Sequence, residues 1–309
     1  MKHKLLFFTL AATASLAGGL FIYATIDTSR VYFAFDKLNS KAEQVALGKE
    51  AAYAVRIPER ISFAEEAVLL EDPEVRERLD RELTVNTYWH SSTILLMKRA
   101  NRFFPVIEKI LREEGLPDDF KYLAAIESNL ENVVSPSGAA GFWQLMKPVS
   151  AQYGLVVNAE VDERYHLEKA TRTACKYLID AKLKTGSWTA AAAAYNMGIG
   201  GITRAQQQQQ ETAYYHLLVN SETSRYIQRI IAFKTIYEHP EDFGFYLDPS
   251  DLYPELKFTL KEVDTSVNWV AFAKQHNTSY KMIRIYNPWI RDISLINKEH
   301  RIYAVKIPD

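Results

Sequence analysis

The sequence predicts a mainly α-helical fold that ends in a small α+β module, and three observations support this prediction. Apolar residues recur at helical intervals throughout residues 101–237, and no alternating strand pattern competes with them there. Residues 31–100 are rich in Ala, Glu, Lys, Arg and Leu at similar intervals, so we expect a helical, partly extended lead-in that Pro58 and Pro73 interrupt. Near residue 250 the pattern changes to the alternation of a strand.

The helical domain, which we place at residues 101–245, opens with one apolar stripe. Gly115 ends this first helix, and Leu116–Asp119 has the composition of a new helix start. The run Gln206–Gln210 is of low complexity, and we expect it to form an exposed helix or loop. The stripe consists of Val106, Ile107, Ile110 and Leu111.

Residues 256–308 form a predicted second module with the order strand, helix, helix, strand. Its apolar residues alternate at both ends and recur at helical spacing between them. The predicted elements are a strand containing Phe258 and Leu260, a helix at 267–275 capped by Asp264–Ser266, a helix at 280–286 that ends at Asn287–Pro288, and a strand at 302–307.

Composition excludes several classes of function. The chain has 309 residues, of which 48% are hydrophobic, so it can bury a substantial core. It carries 37 Lys and Arg against 38 Asp and Glu, and this balance excludes a nucleic-acid binder that relies on counterion release. Cys175 is the single cysteine, and the seven histidines lack the paired spacing of a catalytic zinc site. We therefore predict no disulfide, no metal site and no cofactor.

Residues 1–30 form a predicted signal peptide or membrane anchor, and the protein is expected to be exported. Lys2 and Lys4 precede the uncharged run Leu5–Ile26, which is long enough to cross a bilayer. Ser15–Ala17 offers a cleavage site, but cleavage there leaves apolar residues at the start of the mature chain. Both alternatives stay open at this point.

Glu127 is the residue that the sequence singles out for chemistry. Burial disfavours an ionised carboxylate and raises its pKa, which lets the acid keep a proton near neutral pH and give it to a leaving oxygen. A structural carboxylate paired with an arginine or a backbone amide fits the same spacing. The apolar residues expected on its helix face are Phe120, Leu123, Ala124 and Leu130.

A loop of small residues follows Glu127. The tight turn Ser135–Gly141 lets backbone and substrate approach closely, and Phe142–Met146 comes directly after it. Trp143 beside Gln144 suits a sugar, because one side chain can stack on a ring while the other bonds hydroxyl or acetamido groups. The alternative is that Trp143 belongs to the core and that Gln144 is merely exposed.

An alanine-rich helix carries a third polar group. Ala190–Ala194 permits close helix packing and Gly198 ends the helix, so Tyr195 is presented near a helix terminus. Gly198, Gly200 and Gly201 do not predict a dinucleotide loop, since they follow a helix instead of a strand.

These segments resemble, in order and spacing, the lytic transglycosylases with the goose-type lysozyme fold, and most closely their membrane-bound type D branch. The resemblance rests on Ile126–Ser128, Ser135–Gln144 and Ala194–Gly198, and Glu222–Thr223 with Tyr226 is similar to a fourth motif. It covers residues 57–245. It implies a lysozyme-like helical catalytic domain.

The resemblance also implies that Glu127 is the catalytic acid and base. Met197 stands where the family usually has a smaller residue, and Lys147–Pro148 displaces a proline by one position. The exact shape of the sugar subsites is therefore not carried over. The implied substrate-binding residues are Ser128, Ser135, Gln144, Tyr195, Asn196 and Tyr226.

A single motif-placed acid bears on the mechanism, because most glycosidases use two carboxylates. Glu131 fits a solvated helix residue, and Glu160, Asp162 and Glu163 fit a charged loop or helix start. With one carboxyl group, the acetamido group of the substrate can stabilise the oxocarbenium-like centre. The resemblance then implies cleavage of the MurNAc-GlcNAc β-1,4 bond, with Glu127 activating the muramic C6 hydroxyl to give a 1,6-anhydromuramyl end.

Residues 256–308 resemble a LysM module. Tyr286–Trp289 lies near the second helix, and Glu262–Thr265 replaces the usual glycine-containing turn after the first strand. The module either binds glycan or is a packing subdomain without sugar affinity, because fold resemblance alone does not establish a binding site.

Two other functions stay open, a lysozyme-like hydrolase that activates water and a non-catalytic scaffold that binds the cell wall. In each case the expected partner is a peptidoglycan glycan strand and the expected location is the periplasm or cell envelope. The membrane is a partner only if the N-terminal segment is retained. We take a monomer as the default.

Overall fold

The computed structural model describes residues 52–309, so the predicted signal peptide or anchor and the first part of the lead-in lie outside the described residues. Among the described helices, none is both long and apolar enough to span a bilayer. The described lead-in starts extended and forms a hairpin of β1 (Ser62–Phe63) and β2 (Glu66–Ala67). Its two-residue turn has positive φ at both positions, as in a type I′ turn. This agrees with a partly extended lead-in.

Helix α1 (Pro73–Tyr88) corrects one detail of the lead-in. Pro73 was expected to interrupt helical structure, but it occupies the first turn, where its missing N–H is not needed. The Asp72 carboxylate caps this helix by accepting from the N–H of Glu74 at 2.8 Å. Helix α2 (His90–Glu113) follows and runs without a break across residue 100, where we placed the end of the lead-in.

Six more α-helices follow in the described part of the helical domain. Gly115, at φ 73°, follows the end of α2, and the next helix starts after the predicted Leu116–Asp119 segment. The glutamine run ends a helix and is largely exposed, as predicted. The helices are α3 (Phe120–Ser128), α4 (Lys147–Gln152), α5 (Leu167–Thr185), α6 (Trp188–Met197), α7 (Ile199–Gln209) and α8 (Ser221–Glu238).

Helix α8 lies at the centre of the domain, where it contacts α1, α3 and α6. Its buried residues include Ile227, Ile230 and Ile231, which have no exposed surface. Burial of such side chains stabilises the fold by roughly 1.5–3 kcal/mol each. This central helix also carries Tyr226, so the core packing fixes the position of that side chain.

The C-terminal module has the predicted strand-helix-helix-strand order, with a further short strand pair. Strands β3 (Phe258–Val263) and β6 (Tyr303–Pro308) pair antiparallel with Phe258 opposite Pro308, and β4 (Val267–Asn268) pairs with β5 (Ser294–Leu295). The helices are α9 (Trp269–Gln275) and α10 (Tyr280–Tyr286). The predicted mainly α fold with a small α+β module is confirmed.

The cap of α9 differs from the prediction. Asn268, not the Asp264–Ser266 segment, accepts from the N–H groups of Val270 and Ala271 at 3.1 and 3.0 Å. Residues 267 and 268 form strand β4, so α9 starts two residues later than expected. Ser266 instead accepts a hydrogen bond from the Asn297 N–H at 3.0 Å.

The helical domain and the C-terminal module pack together within one compact unit, Ala54–Asp309. Val161 of the domain forms a β-bridge with Ile290 of the module, and both side chains are buried in one apolar cluster. Lys306 of β6 forms an ion pair with Glu168 of α5 at 2.6 Å. The module is therefore attached through both apolar and polar contacts.

Candidate active site

Glu127 lies in the last turn of α3, a short helix with an apolar composition. Leu123 and Ala124, one turn earlier, have no exposed surface, while Glu127 itself is partly exposed. Leu130 was expected on the same helical face, and this is wrong. Asn129 adopts the left-handed conformation at φ 52° and ends the helix, so Leu130 is buried from a position outside it.

The Glu127 carboxylate has one close phenolic partner. The Tyr226 hydroxyl, presented by α8, donates a hydrogen bond to Oε1 of Glu127. Burial raises the pKa of Glu127 to about 7, although the hydrogen bond from Tyr226 and the charge of Arg229 both lower it, and the charge of Glu222 raises it further. Desolvation thus outweighs the two stabilising contacts, and an appreciable fraction of this carboxyl group is protonated at neutral pH.

The hydroxyl of Ser128, the residue next to Glu127, hydrogen-bonds within the protein. Its side chain is buried, and its hydroxyl donates to the carbonyl of Phe142 at 2.9 Å. Trp143 has no exposed surface, and its indole Nε1 donates to the Thr171 hydroxyl at 2.9 Å. The alternative in which Trp143 belongs to the core is therefore correct, and this ring is not a stacking surface for a sugar.

The loop between α3 and α4 is held by its own hydrogen bonds. The Ser135 hydroxyl accepts from the Ala139 N–H at 3.0 Å. Gln144 adopts a positive φ of 44°, which is costly for a residue with a side chain. Its amide Nε2 donates to the carbonyls of Gly141 and Val133 at 2.8 and 3.1 Å, and these bonds offset that cost.

Tyr195 and Asn196 lie at the end of α6, as expected. The Tyr195 hydroxyl donates to the Trp143 carbonyl at 2.7 Å, and burial raises its pKa well above the usual value. Asn196 accepts from the Thr223 hydroxyl at 2.8 Å and donates to Glu222 at 3.3 Å. The structure therefore places residues of α6 and α8 close to Glu127, while the loop contacts the adjacent Ser128.

The other acids considered from the sequence occupy structural positions. Glu131 is exposed, as expected, but it lies beyond α3 and forms an ion pair with Arg99. Asp162 and Glu163 were expected in a charged loop or helix start, and a 3₁₀ turn does begin at Glu163, yet both acids are buried. In residues 52–309 there is no group of three His, Cys, Asp or Glu side chains placed to hold a metal ion.

Sequence reasoning missed Arg229. It lies three residues after Tyr226 on α8 and therefore shares its helix face. Its guanidinium reaches the Ile126 carbonyl at 3.5 Å, and its charge lowers the pKa of the neighbouring Glu127. The spacing from Tyr226 was a signal that would have identified it.

Comparison with known proteins identifies two domains along the chain. The Transglycosylase SLT domain model matches residues 104–218, and the model of the soluble lytic transglycosylase C-terminal LysM-like domain matches residues 260–309. Two curated relatives, each named membrane-bound lytic murein transglycosylase D, come from Escherichia coli K12 and E. coli O6:H1.

Each relative is 25% identical over 187 residues, which is 59% of this chain. The matched part covers 40% of each relative, so the chain spans well under half the length of these proteins. The resemblance drawn from the motifs is confirmed: the chain contains a transglycosylase SLT domain followed by the LysM-like domain of soluble lytic transglycosylases.

Proposed function

We propose that this protein is a lytic transglycosylase that cleaves the MurNAc-GlcNAc β-1,4 bond of peptidoglycan without water. The observation that carries the proposal is the pKa of Glu127, which burial raises to about 7 within the matched SLT domain. A general acid works best when its pKa lies near the operating pH. The relatives named lytic murein transglycosylase D support the same substrate.

In the first step, protonated Glu127 gives its proton to the glycosidic oxygen, and the bond from that oxygen to C1 of the muramic residue breaks. The acetamido group of the same sugar shares the positive charge that develops at C1, as in substrate-assisted glycosidases. Tyr226 donates to the carboxyl group and orients it without giving up its own proton, because burial raises the pKa of that phenol well above its usual value.

In the second step, the Glu127 carboxylate takes the proton of the muramic C6 hydroxyl, and that oxygen bonds to C1. The acid is thereby restored and the product is a 1,6-anhydro ring. Arg229 and Tyr226 both favour the charged carboxylate, which is the form that this step requires. The opposing effects of burial and these contacts suit a group that must hold and release a proton in one cycle.

The six candidate substrate-binding residues fall into two groups. Ser135, Gln144 and Asn196 are partly exposed, and we propose that they contact the sugars. Ser128 and Tyr226 are buried and Tyr195 is partly exposed. Their hydroxyls all bond within the protein, that of Ser128 to Phe142, that of Tyr226 to Glu127 and that of Tyr195 to Trp143. We propose that this second group acts on the glycan mainly by shaping the groove.

The products distinguish transglycosylation from hydrolysis. Purified peptidoglycan digested by the protein should yield muropeptides with anhydro ends, 18 Da lighter than the hydrolytic products because no water is added. Mass spectrometry of the digest measures this difference. Reducing ends would favour the lysozyme-like hydrolase, and undigested glycan would favour the wall-binding scaffold.

We further propose export to the cell envelope, with peptidoglycan as the partner. The relatives are named membrane-bound, and this supports an envelope location. Attachment through residues 1–30, cleavage of that segment, and a monomeric state stay predictions.

A further inference from the structure

One arginine spans the loop that carries Gln144, and the mechanism above does not use it. Nη1 of Arg164 donates to the carbonyl of Gly138 at 2.8 Å and to the carbonyl of Leu145 at 3.2 Å. These two carbonyls lie on either side of the Gly141–Gln144 turn. Ala140 and Leu145 close the turn through two backbone hydrogen bonds of 3.1 Å, and the guanidinium adds a side-chain link across the same two ends.

The main chain of Arg164 contacts the same loop. Gly141 has a φ of 77°, and a Cβ built there would lie 2.0 Å from the Arg164 carbonyl oxygen. No side chain fits in that space, so the loop backbone packs directly on the backbone of Arg164. The loop is thus held through both the side chain and the main chain of one residue.

Asp162 holds the guanidinium in this orientation. Its carboxylate accepts from Nε of Arg164 at 2.9 Å and from Nη2 at 2.7 Å, and both side chains are 10% exposed. The hydrogen bond to Asp162 raises the pKa of Arg164, so the ion pair is retained. A paired, planar contact of this kind cannot be reproduced by lysine, whose ammonium group is a point charge.

The LysM-like module also contacts this segment. The Asp162 N–H donates to the carbonyl of Trp289 at 2.9 Å, and the Arg291 N–H donates to the carbonyl of Glu160 at 2.8 Å. Ala140 of the loop is buried in the same apolar cluster as Ile290 of the module. Residues 160–165 therefore contact both the loop and the module.

We propose that Arg164 is a positioning residue for the loop that carries Gln144, and that the LysM-like module stabilises Arg164 in that role. The inference rests on the proposed function only in taking this loop as a glycan contact. Because the loop contains only turns and isolated β-bridges, fixing it in advance lowers the entropic cost of binding a sugar chain.

The test uses the full chain with Arg164→Met and Arg164→Lys, and with Arg172→Met as the matched control. Arg172 pairs with Glu113 and Glu114 on the surface of the domain. Both Arg164 variants should raise KM for soluble glycan at least tenfold, change kcat less than threefold, and leave the pH dependence of kcat unchanged. The control should leave KM unchanged, and an unchanged KM in Arg164→Met would overturn the positioning role.

Hydrogen exchange gives a readout that does not need activity. In Arg164→Met the amides of residues 138–145 should exchange at least tenfold faster, while those of α5 and α8 keep their protection. Ile290→Ala tests the contribution of the module. This substitution lies outside the loop, yet it should accelerate amide exchange at residues 138–145. Unchanged loop exchange in Arg164→Met would refute the first half of the proposal, and unchanged exchange in Ile290→Ala would refute the second.

Binding separates this proposal from the proposed function. Combined with Glu127→Gln, Arg164→Met should still lower retention on sedimented, insoluble peptidoglycan relative to Glu127→Gln alone. If the parent does not cleave glycan, the proposed function fails, while faster loop exchange and weaker retention still support the role of Arg164. Equal retention in the two proteins would contradict that role.

Discussion

Glu127 in the candidate active site and Glu168 at the junction with the module are both partly buried, yet their pKa values move in opposite directions. Burial raises the pKa of Glu127 to about 7, because desolvation outweighs the hydrogen bond from Tyr226 and the charge of Arg229. Burial also opposes ionisation of Glu168, but His166 and Lys306 together hold the pKa of that carboxyl well below its usual range. A partly buried acid is therefore a candidate proton donor only where desolvation outweighs the neighbouring groups that favour its charged form.

The largest expected effect is the loss of activity in Glu127→Gln. Removing a general acid typically lowers a rate by about 10²–10⁴-fold, and the turnover of peptidoglycan should fall by at least that much. Glu168→Gln neutralises the other partly buried acid. It should keep turnover within about threefold of the parent, because Glu168 has no part in the proposed proton transfer. Release of soluble muropeptides measures both. Equal losses of turnover in the two variants would contradict a specific role of Glu127 in proton transfer.

The two acids should also affect stability in opposite pH ranges. The pKa of Glu127 is raised by folding, so its contribution to stability is complete below the usual glutamate pKa and is lost as pH rises through about 7. The loss is on the order of 3 kcal/mol in the free energy of unfolding, because each pKa unit corresponds to about 1.4 kcal/mol. Glu127→Gln should therefore be more stable than the parent at pH 8 and similar to it at pH 4.

Glu168 follows the opposite rule, because folding lowers its pKa. Its contribution is present above the usual glutamate pKa and is lost as pH falls below it. Lys306→Met should thus be less stable than the parent at pH 7, with a difference that shrinks in acid. Urea unfolding across this pH range measures both variants. For Glu127→Gln, the gain in the free energy of unfolding over the parent should grow between pH 5 and pH 8. A gain that stays constant would contradict the raised pKa of Glu127.

The same contrast explains what the sequence could and could not predict. Leu123 and Ala124 lie one turn before Glu127, so local periodicity was sufficient to predict that this acid is partly buried. Leu130 was misplaced because Asn129 ends the helix through a backbone conformation that periodicity does not encode. Pro73 was read as a break although it starts a helix, since both roles use the same residue.

Contacts between distant segments were out of reach. Lys306 lies 138 residues from Glu168, and the Arg164 guanidinium reaches a carbonyl 26 residues earlier in the chain. Nothing in the local pattern distinguishes these partners from other surface charges. Sequence reasoning therefore pointed to Glu127 and, through the family motifs, to its partner Tyr226, but not to the charged groups that act on Glu168 or hold the loop.

The smallest expected effect comes from Tyr226→Phe, and it separates the two contributions to the pKa of Glu127. The Tyr226 hydrogen bond lowers this pKa, so its removal should raise the pKa above the parent value. Activity that depends on protonated Glu127 should then persist to higher pH, while the maximum rate falls less than about tenfold because burial, the larger influence, is unchanged. The pH dependence of kcat measures the shift. Tyr153→Phe removes the same kind of phenol-to-carboxylate hydrogen bond, 2.7 Å from Asp180, and should leave the profile in place. A shift of the Tyr226→Phe profile toward lower pH would mean that the phenol stabilises the protonated acid, and the assignment of opposing influences at Glu127 would have to be reversed.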